Sequence, residues 1–197
     1  MRKGVYADRE IVRLRELYYG LAEQYNLETD AVTIHGMKIR FVYRELFEGQ
    51  VRMLLPDNFE KMTEGEIQSR YLSKDRPHVL LAGESLSENI GLNLLPRNGR
   101  DLRETMHAMR EAILRNFPES VVYESGEIKA RTLESHWFEY KSFTLDEEAY
   151  NLQFLFGTKQ LLLLGVFNCG MRYFDEWKSF IQKALEYTEL FDGRETT

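Results

Sequence analysis

Cys169 is the chain's single cysteine. A lone thiol can act as a nucleophile if a cation, a histidine or a helix N-terminus lowers its pKa. Cys169 stands just before a helical pattern, with Arg172 three residues on. Its setting, the end of "LLLLGVFNC", also suits the simpler role of a small apolar residue that packs well. The four histidines are His35, His78, His107 and His136. None are spaced i, i+4 on a helix and no carboxylate–histidine motif accompanies them, so they announce no metal site. His136 alternates with Phe138 and Tyr140, which predicts a place near the core, while His107 lies on the exposed flank of a helix. A small enzyme with a composite pocket would draw on Cys169 or His136. "GESLS" (83–87) lacks the last glycine of a nucleophile elbow and leads into a hairpin rather than a helix. No Walker loop or Gly-x-Gly-x-x-Gly run is present, so no cofactor is expected. Asp146, Glu147 and Glu148 crowd a predicted turn, where such runs are solvated.

Residues suited to binding are more prominent. Lys38, Arg40, Arg44 and Arg52 are expected to project from one face of the first hairpin, in an otherwise acidic chain. Charges on a strand can simply guard an edge against aggregation. They can also steer an acidic partner. Strand parity places Trp137, Phe143 and Leu155 on the same side, and aromatic anchors with a charged rim are what an interface needs. The assignment depends on register, since a slip of one residue inverts every side chain.

These residues need elements to hold them. Ile11, Leu14, Tyr18, Leu21 and Tyr25 recur at helical spacing, predicting an amphipathic helix over 8–25 with Asp8 as N-cap. "LETDAV" breaks that pattern. From Met37 the period becomes two, and "LFEGQ" turns the chain into a second strand, "VRMLLP". Thr63 and Glu66 make a capping box for "EGEIQSRYL". "HVLLAGE" and "NIGLNLLP" read as two strands. Leu102, Met106, Met109, Ile113 and Phe117 mark a second helix, closed by Pro118. "SVVYESGEIKA" reads as a hairpin about Ser125-Gly126, and "ESHWFEYKSFTL", "AYNLQFLFG" and "LLLLGVFNC" as strands. A final helix carries Phe174, Trp177, Ile181 and Leu185. Short connections predict a mainly antiparallel sheet, and segregated helices an α+β fold. In the last strand Leu161, Leu163, Gly165 and Phe167 alternate with Leu162, Leu164 and Val166, so both faces need cover. The first helix, a second subunit or a partner is expected to supply part of it.

Composition narrows the classes of function. The chain has 197 residues, 43% hydrophobic and 29% charged, as in a globular protein. Its net charge of −6 argues against broad binding of nucleic acid. One cysteine allows no internal disulfide and fits a reducing compartment. The start shows no secretory signal, and "LLLLGVF" is far short of the roughly 20 residues that a membrane helix needs. A cytoplasmic protein without membrane insertion is expected.

Two stretches carry a resemblance. "QVRMLLPDNFEKMTEGEIQSRY" joins a strand ending in Leu-Pro to Asn-Phe and a capped helix. "HWFEYKSFTLDEEAYNLQFLFGTKQLLLLGVFNCGMRYFDEWKSFIQKAL" runs through Trp-Phe, Tyr-Asn-Leu and Phe-Asn-Cys to Glu-Trp-Lys. Together they resemble bacterial proteins of unknown function in the PsbP-like fold group. That group includes the extrinsic PsbP subunit of photosystem II, a Ran-binding import factor and chaperones that hold membrane-inserting segments of secreted effectors. The match spans roughly 37–190 and implies a curved antiparallel sheet packed against helices, with the first helix as an addition. It divides the chain into an extension over 1–30, a PsbP-like domain over 31–190 and a tail over 191–197. It further implies protein binding rather than catalysis, as an adaptor or chaperone-like module for a protein client such as an effector segment. A homodimer or a homo-oligomeric structural domain is the other non-enzymatic reading.

Overall fold

The computed structural model describes residues 21–71, 76–84, 87–130, 132–143 and 148–193. Two sheets form among them. The smaller has the order β1-β2-β3-β11, from β1 (Ala31–Ile34), β2 (Met37–Leu46), β3 (Val51–Pro56) and β11 (Glu189–Leu190). The larger has seven strands. It runs from an edge pair of β4 (Glu60–Lys61) and β5 (Val79–Ala82) through β6 (Asn89–Pro96) to β10 (Leu161–Gly170), then β9 (Glu148–Gly157), β8 (Glu134–Phe143) and β7 (Val121–Gly126). Every pairing is antiparallel. Three α-helices pack on this frame: α1 (Glu64–Arg70), α2 (Leu102–Asn116) and α3 (Phe174–Leu185). The expected single sheet is thus two, because the first hairpin pairs with β1 and β11 and not with the later strands.

Local chemistry accounts for the elements. Phe47, Glu48 and Gly49 take left-handed backbone angles at the β2–β3 turn. β1 goes unread in the sequence because its signal is four residues followed by His35-Gly36, both at positive φ, a two-residue hairpin turn. The capping box is formed: the Thr63 hydroxyl accepts from Glu66 N–H, and a Glu66 carboxylate oxygen accepts from Thr63 N–H at 2.6 Å. Asp101 caps α2 by accepting from Glu104 N–H at 2.8 Å.

The two faces of β10 are covered by different elements. Leu163, Phe167 and Cys169 enter a large core with Phe154 of β9, Met53 of β3 and Trp177 of α3. Leu162, with Leu155 of β9, enters a second core under Leu102 and Met106 of α2. The expected cover from the first helix or a partner is therefore supplied at Leu162 and, in part, at Leu164 by α2. Each buried leucine or phenylalanine contributes about 1.5–3 kcal/mol, so these two cores hold both helices to the sheet. Gly165 lets the Phe154 ring cross β10, since a Cβ there would lie 2.1 Å from that ring.

Two expectations change. Ser125 and Gly126 are not a turn but the end of β7, paired with Phe138 and Trp137. Gly126 serves close approach, because a Cβ there would lie 3.1 Å from the Trp137 indole nitrogen. The irregularity is a bulge between Val122 and Ser125. The helix expected over 8–25 lies mostly outside the described residues. Its last part is a short 3-10 turn, Ala22–Gln24, where Lys183 donates to the Ala22 carbonyl at 2.7 Å. Tyr25 packs edge-on against Phe180 of α3.

Candidate functional site

A charged cluster lies on the inner face of the large sheet. Glu139 of β8 is 2% exposed and accepts from Lys178 of α3 at 2.8 Å and from the Tyr150 hydroxyl at 2.7 Å. Lys178 also reaches Glu124 of β7 at 3.3 Å. The bulge sets Tyr123 and Glu124 against the single residue Glu139, which re-aims Glu124 toward Lys178. Buried charges persist only when paired and hydrogen-bonded, and these are. The cluster fastens α3 to the sheet and is closed to a ligand.

Cys169 and His136 do not meet. Cys169 is 2% exposed and lies opposite Tyr150, on the inner face. His136 lies opposite Leu155, on the face that α2 covers. A pocket built from both is ruled out by the register. Among the described residues no group of three or more His, Cys, Asp or Glu could hold a metal ion.

The residues expected at a docking surface are also separated. Lys38, Arg40 and Arg44 share a face of β2, but Arg52 pairs with Glu45 and points the other way. There it stacks on Tyr43 at 3.9 Å and bonds Glu189 at 3.1 Å. Burial and the Glu28 bond push the Tyr43 hydroxyl up to about 12. Arg44 donates to the carbonyls of Asp57 and Phe59, at 3.1 and 3.0 Å, and so fixes a turn. Leu155 is fully buried beneath α2. Trp137 and Phe143 stand on the inner face of β8, in the other sheet. Trp137 is half-buried against the larger core, and only Phe143 is a fully presented anchor.

Phe143 has neighbours that the sequence did not single out. Six large apolar side chains are exposed among the described residues; Val121, Tyr123 and Phe143 belong to the β7–β8 ladder, and Phe117 precedes it at the end of α2. Phe117 ends α2, Val121 and Tyr123 ride on β7, and Phe143 ends β8, diagonal to Val121 across the ladder. β7 is the edge of the sheet. Lys141 stands over the Phe143 ring at 4.8 Å and bonds Glu148 at 2.9 Å, a bond that raises its pKa. The available sequence signal was "VVY" just after a helix ending in Phe117, which reads equally well as a half-buried hairpin strand.

The other end of β7 borders a cleft of about 260 Å³ under α2. Arg103, His107 and Arg110 line one wall and His136 the other, over Met106 and Phe138. The spacing i, i+4, i+7 puts the three α2 residues on one side of the helix. That spacing is legible in the sequence, although its convergence on His136 is not.

Two antiparallel sheets sandwiching α3, with α2 on the outer face, make an α+β fold of the PsbP-like kind. The chain is similar to cyanobacterial PsbP from Synechocystis sp. PCC 6803, with a TM-score of 0.58 at 9% identity over 83% of this chain and 99% of that one. It is also similar to LpqN, involved in cell envelope biogenesis of Mycobacterium tuberculosis, with a TM-score of 0.52 at 10% identity over 81% and 98%. At such identities the likeness is one of fold. No family model and no curated protein matches the chain. No helix among the described residues is long and apolar enough to cross a membrane.

Proposed function

We propose that the protein is a non-catalytic binding module, an adaptor or chaperone-like protein, that docks a protein partner along the β7 edge. The observation that carries this reading is the exposure of Val121, Tyr123 and Phe143 on the edge strand β7 and its neighbour β8, with Phe117 exposed just before β7 begins. Contiguous exposed apolar surface marks interaction sites, and aromatic anchors supply most of their energy. The partner segment is extended and apolar, and its side chains match the patch. The bulge in β7 limits backbone pairing to a few residues, so side chains carry the contact. A segment of a secreted effector is one client with this chemistry.

A photo-reactive residue placed at Tyr123 tests the reading in the native host, with the same residue at Phe191 as control. Phe191 is exposed but belongs to another surface, where its N–H donates to the Gln50 carbonyl next to the small sheet. The expected result is one cross-linked protein from position 123 and none from 191, with the cross-link lost on Phe143→Ser. Equal cross-linking from both positions, or a product containing only this chain, would overturn it.

A further inference from the structure

We infer that the cleft between α2 and β8 is a binding site for a small organic phosphate monoester, separate from the protein-docking patch. The argument begins with charge. In a chain of net charge −6, this cleft gathers two arginines and two histidines. One carboxylate lines it, Glu127, which sits 3.5 Å from Arg103. The side chains of His107, Arg110 and His136 make no hydrogen bond or ion pair among the described residues, which leaves their donors to a ligand. These groups come from one stripe of α2 and from the facing strand, which fixes the two walls relative to each other through the core at Leu102, Met106 and Phe138.

The chemistry of the walls selects the ligand. Guanidinium groups bind oxyanions through paired, charge-assisted N–H···O bonds, and phosphate offers the most acceptor oxygens. With Arg103 partly matched by Glu127, the N–H donors on the two walls suit the several oxygens of a phosphate better than the two of a carboxylate. The base of the cleft is apolar, with Met106 6% and Phe138 1% exposed. It therefore takes a ring or short chain attached to the phosphate. The volume falls below the roughly 300–1,000 Å³ of drug-sized sites, so the ligand is compact.

The test is a titration of the full chain with phenyl phosphate, followed by calorimetry and by the indole N–H signals of the two tryptophans. Trp137 borders the cleft beside Gly126, whereas Trp177 is fully buried in the interior of the larger core and serves as an internal control. One saturable site is expected that moves the Trp137 signal and leaves Trp177 in place. Arg103→Gln combined with Arg110→Gln should weaken binding by at least about tenfold, the loss expected from removing charge-assisted bonds. Benzoate should bind more weakly, and phenol should not shift Trp137. Equal affinity for benzoate, a response to phenol, or an undiminished affinity in the double variant with an unchanged thermal midpoint would overturn the assignment. So would no saturable binding at all.

Discussion

Lys178 and Arg110 are both cations on helices that pack against the seven-stranded sheet, one on each face. Lys178 has a side chain 11% exposed and ends between Glu139 and Glu124, with Tyr150 completing the coordination of Glu139. Arg110 is exposed and lines an open cleft, and its side chain bonds to nothing among the described residues. The inner face has enclosed its charges, where an unmatched one would cost several kcal/mol. The outer face has kept its charges in water, where leaving them unmatched costs little. Charge on the first face is committed to the fold, and charge on the second is free for a ligand. Within β7 the same rule holds residue by residue: Val121 and Tyr123 stay outside the core while Glu124 turns inward to a cation.

Breaking the inner cluster should have the largest effect. Lys178→Met leaves Glu139 buried without its cation, and an unfolding free energy lower by about 3–5 kcal/mol is expected in urea titration. Adding Glu139→Leu should restore much of that loss, because the stranded charge is then gone. A single-variant loss below about 1 kcal/mol would mean that water already reaches the cluster, and the contrast between the faces would collapse. Gly165→Ala comes next. Its methyl would meet the Phe154 ring at 2.1 Å, and the overpacking should cost about 1–3 kcal/mol. A neutral result would show that the inner core can yield.

Glu66 is intermediate, exposed yet bonded, and should show a smaller effect. The bonds from Thr63 N–H and its hydroxyl hold the Glu66 carboxyl below its ordinary pKa. A pKa lowered on folding contributes stability above the unfolded-state value, and that contribution fades as pH falls through the lowered one. Thr63→Ala should cost about 1 kcal/mol at neutral pH. Glu66→Gln should also be destabilising there, and its difference from the parent chain should vanish in acid. Thermal midpoints measured across pH would check both, and a difference that persists in acid would count against the capping bond.

What could be read in advance follows from the range of the interactions concerned. The capping box, the helix 102–116 and the alternation in β10 are local patterns, and each stands where it was expected. The Trp-Phe, Tyr-Asn-Leu and Glu-Trp-Lys stretches carried the fold resemblance, and the structure shows them in contact. Trp177 packs against Phe167, and Lys178 and Tyr150 converge on Glu139. Placement across strands was not legible. Leu155 was given the wrong side because β8 and β9 are offset by a register that parity within one strand cannot reveal. Arg52 was misplaced for the same reason in β2–β3. The apolar edge and the basic cleft depend on β7 being the last strand of the sheet, a fact of topology rather than of any local run.

The smallest stability effect belongs to the outer face. Arg103→Gln and Arg110→Gln should each change the unfolding free energy by less than about 0.5 kcal/mol, as substitutions of exposed side chains usually do. Arg103 is the sharper case, because it does have a partner. Its contact with Glu127 is 3.5 Å long, and the two side chains are 80% and 67% exposed. A pair so open to water gains little from its attraction and loses side-chain freedom in forming it, so removing it should hardly register. If Arg103→Gln instead lowered the thermal midpoint clearly, the Arg103–Glu127 contact would be a strut between α2 and the end of β7. The outer face would then commit its charge to the fold as the inner face does. A midpoint that stays in place, with phenyl phosphate affinity reduced, would separate holding the fold from holding a ligand at the level of single residues.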